Sequence, residues 1–368
     1  MTSSDFADVV VVGDGVVGLA CAHAAAARGL DTCLVGRRRA GLASTAAAGF
    51  LAPTIDPVRG DALHFTLAAR ERYRVYLDDL RRITGRAVPF ALEGILRLPS
   101  SDREAASFAA AVDTMSRWVS AAEVSELEPA LHAPFGARWH PDDGMVDNQR
   151  LLQALDDALA LGSAVRLEGD VDRIELMGEL AELELHSGQR IRCRHLVLAA
   201  GAWAPDIAGL PRALPVRPIR GQMMALAGAP HVGRPVFGFG GYLVPRAHER
   251  ETIVGSTSEA VGFTVGTTDA ALAQFRHVAA AMVPPLARAD ELRTWSGFRP
   301  MTLDGLPIIG PDPDFPALLY ACGHSRNGIL LAPLTGDVIA ALAAGDTPAH
   351  ALAPFSISRF SGMIRPES

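Results

Sequence analysis

The sequence predicts a doubly wound α/β domain interrupted by a second, α+β domain built on an antiparallel sheet. Three observations carry this. Residues 8–19, DVVVVGDGVVGL, run from an apolar stretch through glycines into a helix-like stretch. Residues 216–257 then change period, giving short strand-like runs bounded by Gly and Pro. On either side of that region, the apolar runs 194–202 and 318–323 read as buried strands returning to the first sheet.

The elements follow in order. Residues 8–12 form a strand, 16–28 a small-residue helix that lies close to a sheet and stops at Gly29, and 31–35 the second strand. Leu63, Leu67, Tyr73, Leu77 and Leu80 recur at helical spacing among charges, so 61–82 is an amphipathic helix. Further helices fit 102–116, 149–161 (ending before Gly162) and 268–283. The antiparallel runs are 216–226, 241–246 and 251–257, and a glycine-led helix follows residue 323.

Composition narrows the chemistry. The chain has 368 residues, 49% hydrophobic and 20% charged, enough for one or two domains with a sizeable core. A net charge of −7 argues against nucleic acid, which is bound through a cationic surface, and leaves a small molecule as partner. Every basic residue apart from histidine is arginine; without lysine there is no P-loop lysine, no pyridoxal Schiff base and no lysine nucleophile. Cys21, Cys33, Cys193 and Cys322 are far apart and contain no CxxC, so no metal is expected; they read as buried thiols of a reducing compartment, and the cytoplasm is the expected location. The start MTSSDFADVV lacks a cationic segment before an apolar one, and no apolar stretch reaches bilayer length. A homo-oligomer is left open.

Gly13, Gly15 and Gly18 have the spacing of a Rossmann-like dinucleotide turn, whose diphosphate sits on the amides opening the next helix. An acid for the ribose hydroxyls is expected about 20 residues on, yet that slot holds Gly36. Arg37 and Arg38 follow it, which raises NADP, bound through its 2′-phosphate, as a competitor to a flavin dinucleotide; a solvated arginine turn is the plainer alternative. Ser44 and Thr45 stand just past the second strand, where they serve either the cofactor or, for Ser44, as the cap of the next helix. Ala46, Ala47, Ala48 and Gly49 offer little bulk, as a flat ring system approaching the backbone requires.

Six segments decide between these readings: ASTAAAGFLAP (43–53), LVLAAGAWAPDI (196–207), VRPIRGQMM (216–224), GYLVPR (241–246), GFRPMTLDGLPIIG (297–310) and GHSRNGILLAPLTG (323–336). In this order they resemble the glycine oxidases of the D-amino-acid oxidase superfamily, from residue 8 to about 355. The resemblance implies a Rossmann-like FAD-binding domain from 1–84, 143–212 and 300–368, and an inserted α+β substrate domain from 85–142 and 213–299 whose antiparallel sheet roofs the flavin. It implies non-covalent FAD held by Gly13, Gly15, Val16, Val17 and Gly18, by Arg37 and Arg38, and by Ser44 and Thr45. Ala47, Ala48 and Gly49 would lie along the isoalloxazine, and the Val171 backbone would meet the adenine. Ala200, Gly201 and Trp203, then His324, Arg326, Asn327, Gly328, Ile329 and Leu330, would complete the cofactor site.

For an amino-acid-like substrate, arginine is the natural carboxylate partner because its planar fork takes both oxygens. Arg299 in GFRP, read as a bend pointing inward, is the candidate; Tyr242 adds a phenol, and the resemblance implies that Arg326 would lie near the amine end or over the flavin. Gly240, Gly241 and Ser258 read as small residues widening the pocket, which favours an N-substituted glycine. The expected reaction is hydride transfer from the α-carbon to flavin, hydrolysis of the imine to glyoxylate, and reoxidation by oxygen to hydrogen peroxide. Its alternatives are the glycine oxidation of thiamine biosynthesis, a D-amino-acid oxidase or dehydrogenase, an NADP-dependent reductase, and a flavin-binding protein without catalysis.

Overall fold

The structure, a computed structural model, describes residues 6–228 and 231–362. Residues 1–5, part of the stretch that bears on a leader, lie outside the described set. β1 (Phe6–Val12) ends at Gly13 and feeds α1 (Val16–Ala27), after which Gly29 turns the chain with φ 80°. β2 (Thr32–Gly36), α2 (Ala43–Ala46), β3 (Phe50–Leu51) and α3 (Asp61–Thr84) follow. Next come β4 (Phe90–Ala91), β5 (Ile95–Arg97), α4 (Asp102–Ala110), β6 (Arg117–Val119), α5 (Ala121–Leu127), β7 (Ala137–His140) and β8 (Gly144–Val146). α6 (Asn148–Leu161), capped by Asp147, leads to β9 (Val165–Glu168), β10 (Val171–Met177), β11 (Leu180–Leu185) and β12 (Arg190–Leu198). β13 (Val216–Ala227), β14 (Val236–Gly238), β15 (Gly241–Arg246), β16 (Glu251–Gly255), α7 (Asp269–Met282) and β17 (Glu291–Thr302) come before β18 (Ile308–Pro311), β19 (Leu318–Cys322) and α8 (Gly328–Ala343).

Two large sheets organise these elements. In the first, β9, β2, β1 and β12 run in parallel, and the C-terminal half of β12 pairs with β19 while its N-terminal half pairs with the β10–β11 hairpin. Where its central strands run in parallel, residues 9–12, 33–35 and 196–198 are apolar and buried because helices cover one face and further chain the other. The second sheet has the order β17-β13-β16-β15-β14-β5-β7-β6, with α7 packed on it. A small sheet, β3-β8-β4, lies beside them. α1 and α8 cross closely: a Cβ on Gly336 would come 2.6 Å from the Ala20 carbonyl oxygen.

Three sequence expectations need correction. The helix placed at 102–116 stops at Ala110, because the Asp113 side chain accepts from the Met115 amide and the Ser116 hydroxyl, folding a turn. Arg138 then donates to the carbonyls of Phe108 (2.7 Å) and Ala111 (2.6 Å), sealing the helix end. The strand placed at 194–202 is β12, four residues earlier; Gly201, with φ 59°, bends the chain into a 3-10 turn over Gly201–Asp206. Arg299 is not at a bend but inside β17, opposite Ile219 of β13; β17 is an edge strand, where Pro300 costs no ladder bond.

Candidate active site

A cavity of about 800 Å³ lies between the ends of the first sheet and the face of the second, lined from both. At its nucleotide end Gly13 has φ 116°, and a Cβ there would come 2.3 Å from the Ala199 carbonyl oxygen, so only glycine makes this turn. Gly15, Val16 and Val17 line the cavity. Gly18 does not: its absent Cβ lets α1 close onto the turn, where a side chain would come 1.7 Å from the Gly13 carbonyl oxygen. Ser44 caps no helix of its own, since α2 starts from Leu42; its buried hydroxyl accepts from the Val16 amide at 2.9 Å. Thr45 bonds the Leu42 carbonyl and stays out of the cavity.

The arginine turn is spent within the protein. Arg37 lines the cavity but pairs with Asp170 (3.5 Å) and Glu168 (3.9 Å). Arg38 pairs with Asp156 at 2.6 Å and faces away from the cavity. Arg39, which the sequence reading passed over, lines the cavity, pairs with Asp170 at 2.6 Å and lies over the Trp203 ring at 5.4 Å. A 2′-phosphate would therefore have to break existing ion pairs, against the NADP reading. Val171, Ala200, Gly201 and Trp203 line the cavity.

At the opposite end the segment 44–49 is held by its carbonyls. The side chains of Asn148 and Gln149 donate to the carbonyls of Ser44 and Thr45, Trp295 Nε1 to Ala46 (3.1 Å), Arg246 Nη2 to Ala48 (2.8 Å), and the Val146 amide to Gly49 (2.8 Å). Ala47, Ala48 and Gly49 line the cavity, and the amides of Ala48 and Gly49 have no protein acceptor among the described residues. Across from them α8 begins: Asn327, Gly328 and Ile329 line the cavity, with the first-turn amides free and no side-chain cap. Leu330 points the other way, into the core. His324 lines the cavity with Nε2 at 3.1 Å from the Thr335 hydroxyl; burial pulls its pKa down to about 3, so it stays neutral.

Arg299 reaches in from β17 over Gly221, where a Cβ would come 2.3 Å from its Nη1. It donates to the Thr257 carbonyl (3.0 Å) and the Ser256 hydroxyl (2.6 Å), and pairs with no carboxylate among the described residues. Burial, and the like charge of Arg326, hold its pKa below the usual arginine value. Tyr242 stands beside it on β15, its pKa raised chiefly by burial, so it remains a protonated phenol. Arg326 lines the cavity nearer its mouth, 65% exposed and 3.3 Å from Asp56. Ser258 does not belong here: β16 ends at Gly255, the chain turns outward, and Ser258 is exposed while Ser256 faces the cavity. Gly240, with φ 78° at the β14–β15 turn, and Gly241 both line the cavity; a Cβ on Gly240 would meet only Gln274 Nε2, at 3.8 Å, whereas one on Gly241 would collide with β16 and Val278, so packing dictates that glycine.

The FAD-dependent oxidoreductase profile matches residues 8–342. The chain belongs to this family. It is 32% identical to the glycine oxidase of Geobacillus kaustophilus over 97% of this chain and 98% of that protein. It is 35% identical to a bifunctional ThiO/ThiG protein of Nostoc over 96% of this chain, and spans about half, 55%, of that longer relative. The crystal structure of the Geobacillus glycine oxidase superimposes with a TM-score of 0.90, at 31% identity, over 97% of this chain and 99% of that one. As a member of the family the protein is an FAD enzyme, which overturns the NADP reading. The residues fit that cofactor: a glycine cradle at the start of α1 at one end, unpaired backbone amides and the uncapped start of α8 at the other. Arg39, Arg246, Trp295 and Ser256 escape the sequence because each contact they make is with a residue distant in the chain.

Proposed function

We propose that the protein oxidises a glycine-type amine, either glycine or an N-substituted glycine, to an imine that water hydrolyses to glyoxylate and the free amine or ammonia. The observation that carries this is Arg299: a cavity-facing guanidinium whose protein partners are a hydroxyl and a carbonyl, which leaves it a strong partner for a substrate carboxylate. Tyr242 offers its phenol to the same carboxylate. Phe50, Phe237 and Met223 line the cavity around Tyr242 and give an N-alkyl group an apolar wall. Bound FAD supplies the two-electron acceptor, and oxygen restores it with release of hydrogen peroxide. The chain itself positions: Arg299 and Tyr242 fix the carboxylate, and the starts of α1 and α8 place partial positive charge where the cofactor is anionic. His324 is a poor base, since burial lowers its pKa to about 3 and its Nε2 is engaged with the Thr335 hydroxyl.

Residues 1–84, 143–212 and 300–368 then serve the cofactor, and 85–142 with 213–299 roof it. FAD is held non-covalently: Arg299 is followed by Pro300 and Met301, and burial pushes the cavity thiol of Cys322 up to about 12, keeping it protonated. Four free, buried cysteines suit a reducing compartment, and we place the protein in the cytoplasm. Plain glycine is the second substrate reading, favoured by what the Geobacillus relative is called. A peroxide assay over glycine, sarcosine, larger N-alkyl glycines and D-alanine tests both; peroxide from D-alanine alone overturns them. In the same assay Arg299→Ala should lower kcat/KM by about 10- to 100-fold, the loss of a charged hydrogen bond.

A further inference from the structure

β2 ends without the acid that the adenosine ribose calls for, and the residue in that slot, Gly36, explains where the acid went. A Cβ on Gly36 would lie 2.8 Å from the Asp14 amide nitrogen, 2.9 Å from the Asp14 Cβ and 3.1 Å from its Cγ. The backbone and side chain of Asp14, from the first glycine turn, thus fill the space into which a residue at the end of β2 would project, and the two cannot coexist without movement. Asp14 is only 4% exposed, yet it lines the cavity beside Gly15 and Gly36. One of its oxygens, Oδ2, accepts from Arg166 Nη2 at 3.2 Å, while Oδ1 accepts no hydrogen bond among the described residues. Arg166 comes from β9 and is itself fixed by Asp156 at 2.9 Å, which also takes Arg38. A buried carboxylate is thereby oriented by a chain of ion pairs, with one acceptor left facing the nucleotide end of the cavity.

We propose that Asp14 takes over recognition of the adenosine ribose of FAD, its Oδ1 accepting from a ribose hydroxyl, with Arg166 as its positioning residue. The acid has moved from the end of β2 to the glycine turn, and Gly36 is glycine because Asp14 occupies its side-chain volume. The same negative charge disfavours a nucleotide bearing a 2′-phosphate. The assignment holds whichever amine the enzyme oxidises.

Titration of the apoprotein, followed by flavin fluorescence, compares FAD with an analogue whose adenosine ribose lacks the 2′ and 3′ hydroxyls. Wild type should bind FAD about 10- to 100-fold more tightly than the analogue, as a hydrogen bond to a charged group implies. Asp14→Ala should bring that ratio close to one by weakening FAD alone, leaving the analogue's Kd where it was. Should Asp14→Ala not fold, Asp14→Asn reads the same ratio, which falls several-fold because a neutral acceptor is weaker. Gly36→Glu alone should weaken FAD by crowding Asp14. A wild type that holds both ligands equally, or an Asp14 variant that keeps the wild-type ratio, overturns the proposal.

Discussion

Pro333 sits inside α8, where it has no amide to donate to the carbonyl of Ile329 one turn earlier, and the hydroxyl of Tyr73 from α3 donates there instead. Tyr73 is fully buried, so its phenol has no water to fall back on. Tyr73→Phe should cost about 1–3 kcal/mol, the penalty of a buried carbonyl left without a donor. A denaturant midpoint that moves down at constant slope checks this; an unmoved midpoint removes the bond from the account. His324 gives a residue-scale prediction of a different kind. Burial lowers its pKa from 6.5 to about 3, so the unfolded chain takes up a proton below pH 6.5 that the native state refuses. Its contribution to stability is complete above pH 6.5 and is lost as pH falls toward 3. His324→Asn should therefore flatten the decline in stability between pH 6 and 4, measured as the difference between variant and wild-type unfolding curves, since His140, lowered to about 4, contributes the same sign in both.

At the scale of the element, the segment 44–49 shows how neighbouring chains shape a site they do not enter. Its carbonyls are pulled outward by Asn148 and Gln149 of α6, Trp295 of β17 and Arg246 of β15, which leaves amides and methyl groups on the cavity side. Arg246 is buried, its pKa held down by that burial, and it also donates to Asn148 Oδ1 at 3.2 Å. It is a positioning residue: Arg246→Leu should weaken FAD by about 10-fold or more through loss of a charged hydrogen bond, and Arg246→Lys should recover little, since it lacks the planar fork. Apoprotein titration with FAD measures both, and an Arg246→Leu variant with wild-type affinity refutes the role. The small residues of this segment were legible because bulk is a local property of sequence. The four side chains that hold it were not, because Arg246 and Trp295 look like ordinary strand residues until β15 and β17 are placed beside α2. The same blindness put Ser258 in the pocket. Ser256 and Ser258 share a strand parity, and only the end of β16 at Gly255 separates the one that faces Arg299 from the one that does not.

For the whole molecule, the parallel core and the position of the glycine turn were readable because buried parallel strands are apolar along their length. β17 was not, because Gly297 and Pro300 break its pattern as a strand, and its length appears only against β13. That pairing matters, since it carries Arg299 across to a cavity whose other wall is the first sheet. FAD spanning that cavity touches both large sheets, so binding should stabilise them together. A ligand that binds only the folded state adds about 2.7 kcal/mol at a hundred times its Kd, and the gain rises with the logarithm of concentration. The Tm of the apoprotein should climb steadily with added FAD, as one transition that includes both sheets. FMN, which lacks the adenosine end and cannot reach Asp14, should produce a smaller rise at equal concentration. Two separate transitions, only one of them responsive to FAD, would mean that the cofactor belongs to the first sheet alone and that Arg299 is not held over it.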